Sequence, residues 1–317
     1  MKALIVGGTR YLGAAIAREL LEHGYGVAVL HRGHTPGDLP PGVKHLLGDA
    51  RDRTFVEKQL REGSYDAVVD TILQAEDLAW YLPLLTQYAG QLVHCGSTGV
   101  YAPADHVPSR ETDPTPCPPE LGGFGAKLAQ DEALLDFAVA ATDHARTSFR
   151  VCSLRVSNVI GAGDVPLDIW GARNPAYFQR LADHQPIWIP NGGRALVQPV
   201  HVDDLARGFR AAIESDKASG QIYNLSSDRP VTLTGYAQCA KDLLGSKSEF
   251  TFASMDTILA TGKGSESGLR FLCEHMCIDS GKAQRELGYA PKIDIRESLR
   301  DSLNWMVGKG LLHAAVR

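Results

Sequence analysis

Apolar and polar positions along the first half of this chain follow a strand–helix rhythm. Positions 3–6 are a short unbroken apolar run, the pattern of a strand buried on both faces. Gly7 and Gly8 end it, and positions 11–23 carry apolar residues at helical spacing. The strand pattern returns at 25–30 and 43–47, with a helix predicted over 54–61. A fourth strand covers 66–70 and the next helix 75–89. Leu78, Trp80, Tyr81, Leu82, Leu84 and Leu85 make that helix apolar on more than one face, so cover is expected from its own sheet and from a partner subunit. A fifth strand at 91–95 runs into a polar, proline-rich loop reaching Leu121, and a helix opens at Phe124 and extends to about Ala141. Strands alternating with helices predict a parallel sheet covered on both faces, with ligand at the carboxyl ends of its strands.

The second half is less regular. Gly161-Ala162-Gly163-Asp164 leaves a sixth strand, and 169–184 contains a helical stretch. Positions 197–201 return to the first half, and a helix follows over 203–213 with Asp203-Asp204 read as its N-cap. Further helices are predicted at 232–244, 256–259 and 295–307, and 262–268 reads as a polar loop. The fold class is therefore α/β. A Rossmann-type, doubly wound parallel sheet is expected over 1–160, with 195–226 returning to it. A smaller, mostly helical substrate-binding domain is expected from 161–194 and 227–317.

Composition narrows the function classes. A chain of 317 residues can form one large or two modest domains. The net charge of −5 argues against nucleic acid as the partner, which needs a basic face. No apolar run reaches membrane-spanning length, and the opening Met-Lys-Ala-Leu-Ile-Val reads as a strand, not a signal peptide. Six cysteines in a chain this long give no disulfide framework, so the reducing cytoplasm is the expected compartment. Cys273 and Cys277 bracket His275, but no second ligand pair lies nearby and no metal site is expected.

The candidate chemistry starts at the first glycine turn. Strand, glycine turn and helix aim free backbone N–H groups and a helix N-terminus at a phosphate. Gly7-x-x-Arg10-x-x-Gly13 is close to a dinucleotide fingerprint, with Arg10 where a glycine is usual. Gly7, Thr9, Arg10, Tyr11, Leu12 and Gly13 are thus candidate cofactor residues. After the second strand, the acid that holds a ribose 2′-hydroxyl in NAD-binding units is missing, and His31 and Arg32 stand there. Arg10 and Arg32 facing one ribose suit a 2′-phosphate, which favours NADP(H) over NAD. Asp49, followed by Ala50, can accept from an adenine amino group, while Asp52 suits the N-cap of the next helix.

Ser97-Thr98-Gly99-Val100-Tyr101, Glu111-Thr112-Asp113-Pro114, Arg155-Val156-Ser157-Asn158-Val159-Ile160-Gly161 and His201-Val202-Asp203-Asp204-Leu205-Ala206 follow the glycine turn in order. Tyr223-Asn224-Leu225 and Lys282-Ala283-Gln284-Arg285-Glu286-Leu287-Gly288-Tyr289 complete the set. Almost end to end, the chain resembles the extended short-chain dehydrogenase/reductases, a group that includes nucleotide-sugar epimerases, dehydratases and ketone reductases. The resemblance implies a catalytic set of Ser/Thr with Tyr-x-x-x-Lys. Ser97 fits the serine and Lys127 the lysine, but Gly123 stands at the tyrosine's position, with Phe124 one place out of register. Thr71, Ile72 and Leu73 replace small residues beside the cofactor, which suggests an atypical branch. By the same resemblance, Lys127 and Ser157 face the cofactor, and Asn158, Trp170, Tyr177 and Gln198 face the substrate. The proton would come through Ser97 or Thr98 and water, or from Tyr101 turned inward. The implied activity is NADPH-dependent reduction of a small or aromatic ketone. A nucleotide-sugar epimerase or dehydratase, and a non-catalytic NADP-binding sensor or assembly protein, are the alternatives. A homodimer through helices 75–89 and 124–141 is implied as well.

Overall fold

The structure, a computed structural model, describes residues 1–34, 39–143 and 148–317. In chain order the first half forms β1 (Lys2–Val6), α1 (Tyr11–Glu22), β2 (Gly26–His31), β3 (Lys44–Leu47), α2 (Arg53–Gly63), β4 (Ala67–Asp70), α3 (Ala75–Tyr88), β5 (Gln91–Ser97), α4 (Phe124–Asp143) and β6 (Arg150–Val156). The second half forms β7 (Val159–Ile160), α5 (Pro175–Ala182), β8 (Ile187–Pro190), β9 (Leu196–Val197), β10 (Val200–His201), α6 (Val202–Glu214), β11 (Gln221–Leu225), β12 (Val231–Thr232), α7 (Leu233–Leu243), β13 (Phe250–Ala253), α8 (Met255–Leu259), α9 (Glu266–Cys273), α10 (Gly281–Leu287) and α11 (Ile295–Gly308).

Seven parallel strands make the central sheet in the order β11-β6-β5-β4-β1-β2-β3. The order reverses at β1, and such a reversal opens a crevice at the carboxyl ends. Successive β1 residues serve opposite faces, as the two-residue strand period requires. Ala3 and Ile5 pack with α1 and α6, while Leu4 and Val6 pack with α2, α3 and α4. Both faces are therefore dry, which is why the strand reads as an unbroken apolar run. A separate apolar core joins Trp170, Phe178, Ile187 and Ile189 with α7, α9 and α11.

Several local expectations change. Asp52 does cap α2, accepting from Phe55 N at 3.0 Å. Asp203 and Asp204 do not cap α6: that role falls to His201, whose Nδ1 accepts from Asp203 N at 3.1 Å. Asp204 is instead buried and accepts from Lys292 N and Ile293 N. The polar stretch at 262–268 is loop only in part, because Ser265 caps α9 and lets Leu269 and Leu272 enter the second core. The sixth strand ends at Val156, and the short β7, paired with β10, precedes Gly161. The apolar faces of α3 are taken up within the chain: Leu78, Tyr81, Leu82, Leu84 and Leu85 are all buried. Trp80, the remaining one of the six apolar residues singled out in that helix, is only partly buried.

Candidate functional site

A cleft of about 510 Å³ lies over the carboxyl ends of β1, β2 and β4. Its floor is the glycine turn. Gly7 and Gly8 have φ of +81° and +96°, and a Cβ on Gly13 would stand 2.1 Å from Gly8 Cα. These glycines let α1 begin directly against the turn. Arg10, at the N-cap of α1, makes no side-chain capping bond, so the first-turn N–H groups receive no side-chain acceptor there. Such a terminus suits an anion. Tyr11 has φ of +52° and packs beneath the guanidinium of Arg173, 5.7 Å from its ring centre. Burial pushes its hydroxyl well above the usual phenol range. The cradle fits the pyrophosphate of a dinucleotide.

At one end the cleft is lined by Arg10, His31, Arg32 and His34. His31 Nδ1 accepts from Gly33 N at 3.2 Å, and its Nε2 lies 2.9 Å from His45 Nδ1. Burial, and then His45, hold the His31 imidazole below its usual range. Asp49 and Ala50 also line the cleft. Asp49 Oδ1 accepts from Arg51 N, and the Ala50 carbonyl accepts from the buried Tyr81 hydroxyl at 2.8 Å. Thr71, Ile72 and Leu73 form the facing wall, with Ile72 packed on Gly7, where an added Cβ would stand 2.6 Å from its Cγ2.

The inner end is marked by Cys95, which lines the cleft and whose carbonyl accepts from Lys127 Nζ at 3.0 Å. Ser97, the last residue of β5, accepts from Gly99 N at 3.1 Å and keeps its own proton to donate. Gly123, at the tyrosine's position, is exposed, and beyond its chain neighbours no atom lies within 4 Å of an added Cβ. The neighbouring ring of Phe124 covers Gly99 and packs on Phe271, with ring centres 4.9 Å apart.

Other sequence candidates lie elsewhere. Tyr101 is buried and outside the cleft. Its hydroxyl donates to Asn224 Oδ1 at 2.9 Å and accepts from Arg155 at 2.7 Å, and the Arg155 guanidinium also stacks on its ring. The inward turn needed for a proton donor is thus replaced by a buried ion network that includes Asp131 and Ser153. Thr98 is buried and donates to Val156 O at 3.4 Å. Ser157 donates to the Gln198 carbonyl, and the Gln198 side chain bridges Ser226, Ser227 and Ile278, so both serve packing between strands. Asn158 accepts from Arg173. Trp170 and Tyr177 meet edge to face and line a second cleft of about 410 Å³ that shares no residue with the first. Gly163, Asp164 and Arg173 close over the glycine turn and were not singled out by sequence. Gly161-x-Gly163 was the available signal: Gly163 has φ of +118° and presses on Tyr11. His275 Nδ1 accepts from Leu196 N, and among the described residues no group of three or more His, Cys, Asp or Glu is placed to hold a metal. Among the described residues, no helix is long and apolar enough to cross a membrane.

Known proteins with similar sequences include one named for binding and one named for reduction. The chloroplast stem-loop binding protein of 41 kDa b from Arabidopsis thaliana is 30% identical, over 98% of this chain and 80% of that protein. A 2-alkyl-3-oxoalkanoate reductase from Stenotrophomonas maltophilia is 25% identical, over 95% of this chain and 98% of that one. UDP-glucose 4-epimerase from Bifidobacterium longum, solved with NAD+ and UDP, superimposes with a TM-score of 0.75 at 21% identity, covering 98% of this chain and 99% of that one. Its likeness is one of fold. Residues 3–226 match a single family description, and they span the glycine turn, the cleft walls, Ser97 and Lys127. The chain belongs to the NAD dependent epimerase/dehydratase family.

Proposed function

We propose that the protein is an NADP(H)-dependent reductase of a small or aromatic ketone. The observation that carries the reading lies beside Cys95 of the cleft wall: its carbonyl accepts from Lys127, while the tyrosine's position four residues before that lysine is Gly123, which brings no hydroxyl. An epimerase or dehydratase both removes and returns hydride and leans on that tyrosine as base, so its absence favours one-way reduction. Relatives named as a 2-alkyl-3-oxoalkanoate reductase, a 2'-dehydrokanamycin reductase and a dihydroquinoline-1-oxide ketoreductase support the direction.

The glycine turn would hold the pyrophosphate, Asp49 and Ala50 the adenine side, and Arg10, Arg32 and His34 a 2′-phosphate. Lys127 would hold the nicotinamide ribose. When bound, the nicotinamide supplies the hydride. Ser97 would donate a hydrogen bond to the substrate carbonyl oxygen and relay a proton to it, taking one from water as it gives up its own. A phenol beside the ketone would polarise its own carbonyl, which lessens the need for the tyrosine. Residues 161–194 and 227–317, built around the second core, would form the substrate side. Trp170 and Tyr177 would belong to its separate cleft. Exposed Leu135 and Val139 on α4 support a homodimer, tested by light scattering. Six unbonded cysteines support a reducing compartment, the cytoplasm.

Single-turnover oxidation of NADPH with a panel of ketones tests the reading. Lys127→Ala should weaken NADPH binding and cut the rate together. Ser97→Ala should lower the rate with little change in affinity. Wild-type rates in both variants would overturn the assignment. Likeness to a stem-loop binding protein favours a second, non-catalytic reading. Salt-sensitive binding of an RNA stem-loop, with no ketone turned over, would select it, against the expectation from a net charge of −5.

A further inference from the structure

Behind the cleft wall runs a polar chain that the reduction does not use. Asp70, His94 and Gln130 are fully buried on the sheet face covered by α4. Asp70 Oδ1 accepts from Ile72 N and Leu73 N at 2.9 and 2.8 Å, which ties down the loop lining the cleft. Its Oδ2 lies 2.6 Å from His94 Nδ1. His94 Nε2 lies 3.0 Å from Gln130 Oε1. Gln130 donates from Nε2 to Gln74 Oε1 at 3.1 Å, and Gln74 donates from Nε2 to Ile72 O at 3.3 Å.

The direction of these bonds is set from one end. The Ile72 carbonyl can only accept, so Gln74 turns its nitrogen there and its oxygen to Gln130. Gln130 then turns its nitrogen to Gln74 and its oxygen to His94. His94 must donate to that oxygen, and on its other side it meets a carboxylate. Both imidazole nitrogens therefore face acceptors, an arrangement that a doubly protonated ring paired with the Asp70 carboxylate would fill. Buried ions are tolerated in this way, as a hydrogen-bonded pair. Among the described residues, the other charged groups on the elements packed around His94 are Lys127, Asp131, Glu132 and Asp136 on α4, Glu76 and Asp77 on α3, and Arg150 and Arg155 on β6; the Tyr81 hydroxyl on α3 also feels Asp70. Asp131 is paired with Arg155, Asp77 with Arg51, and Lys127 donates to Cys95 O.

We infer that His94 is a positioning residue: as an imidazolium between Asp70 and Gln130, it holds the Ile72 loop and α4 in the arrangement that accepts the dinucleotide. Lys127 precedes Gln130 by one helical turn, so the lock on Gln130 also sets the lysine. This rests on the reading of the cleft as a dinucleotide site. Loss of the His94 proton forces both glutamine amides to turn over and removes the bond to Ile72 O. Dinucleotide binding then weakens once that proton is lost.

The test combines side-chain ¹⁵N NMR of the full chain without cofactor and NADPH fluorescence titrations, both from about pH 6 to about pH 9. His94→Gln assigns the resonances. The expected result is a His94 protonated on both nitrogens at neutral pH. NADPH affinity should fall about three- to tenfold in step with its titration, the equivalent of one lost neutral hydrogen bond. In His94→Gln the affinity should be lower and that pH dependence gone. A singly protonated His94 at neutral pH overturns the inference, as does pH dependence that survives unchanged in His94→Gln. Should that variant not fold, the wild-type NMR and binding series decide between the same outcomes. A doubly protonated His94 with pH-flat affinity overturns this inference alone, whereas no dinucleotide binding at any pH overturns the cleft reading and this role with it.

Discussion

Replacing Arg10 and Arg32 by alanine, singly and together, probes the ribose end of the cleft. Both side chains line it, both are exposed, and neither is held by an ion pair or hydrogen bond among the described residues. They are free to turn to a 2′-phosphate. A hydrogen bond to a charged group contributes about 1.5–3 kcal/mol, and solvent screening puts exposed groups at the low end. With ~1.4 kcal/mol per factor of ten, one such contact gives about a tenfold preference for NADPH over NADH, and two give ~100-fold. Each single variant should therefore narrow the gap about tenfold. The double variant should bring the two nucleotides level, with NADH affinity unchanged. Fluorescence titration with both nucleotides measures this directly. Repeating it at high salt adds a control, because the Debye length falls from about 10 Å at 0.1 M to about 3 Å at 1 M, so the NADPH advantage should shrink. Equal affinity of the wild type for both nucleotides would refute the reasoning, and so would a preference that survives the double substitution.

Three further perturbations follow from named contacts. Gly13→Ala places a methyl 2.1 Å from Gly8 Cα and 2.8 Å from Gly8 O, so α1 must lift off the turn. A cost of about 1–3 kcal/mol in urea unfolding and loss of NADPH binding are expected, and an unchanged midpoint would contradict the packing. Asp168 is buried, and burial raises its carboxyl to about 6 despite bonds from Trp170 N and Ala172 N. Its folded value exceeds its unfolded one, so it costs nothing below about pH 4 and destabilises increasingly as pH rises through about 6, by ~3 kcal/mol at most. Asp168→Asn should flatten that part of the stability–pH curve, and an unaltered curve counts against the assignment. Gly123→Tyr meets open space at a backbone that is not left-handed. Its stability should stay within about 0.5 kcal/mol of wild type, and hydride transfer to a slow ketone should quicken by up to about 10²–10⁴-fold. A folded variant with an unchanged rate would mean that this space is not the tyrosine's.

Local chemistry made much of this protein legible before any coordinates. A strand buried on both faces is mostly apolar, so β1, β2, β4 and β5 announce themselves in short runs. A helix that starts against a phosphate needs glycines where a Cβ would strike backbone, so Gly7, Gly8 and Gly13 mark the cleft. Asp52 caps α2 with an amide three residues on, inside its own segment. The misplaced features depend on partners distant in the chain. His201 rather than Asp203 caps α6, because Asp204 is drawn to the backbone at Lys292 and Ile293, and no spacing rule connects those segments. Tyr101 has a motif-like position after Ser97, yet Arg155 and Asn224 take its hydroxyl. Trp170 and Tyr177 look like substrate aromatics, but the second core turns them to a different cleft. The Asp70–His94–Gln130 chain joins two neighbouring strands to the helix above them. Periodicity tells which face of an element is apolar. A polar side chain on such a face is settled only when its partner arrives, because an unpaired buried group costs more than any local preference can offset.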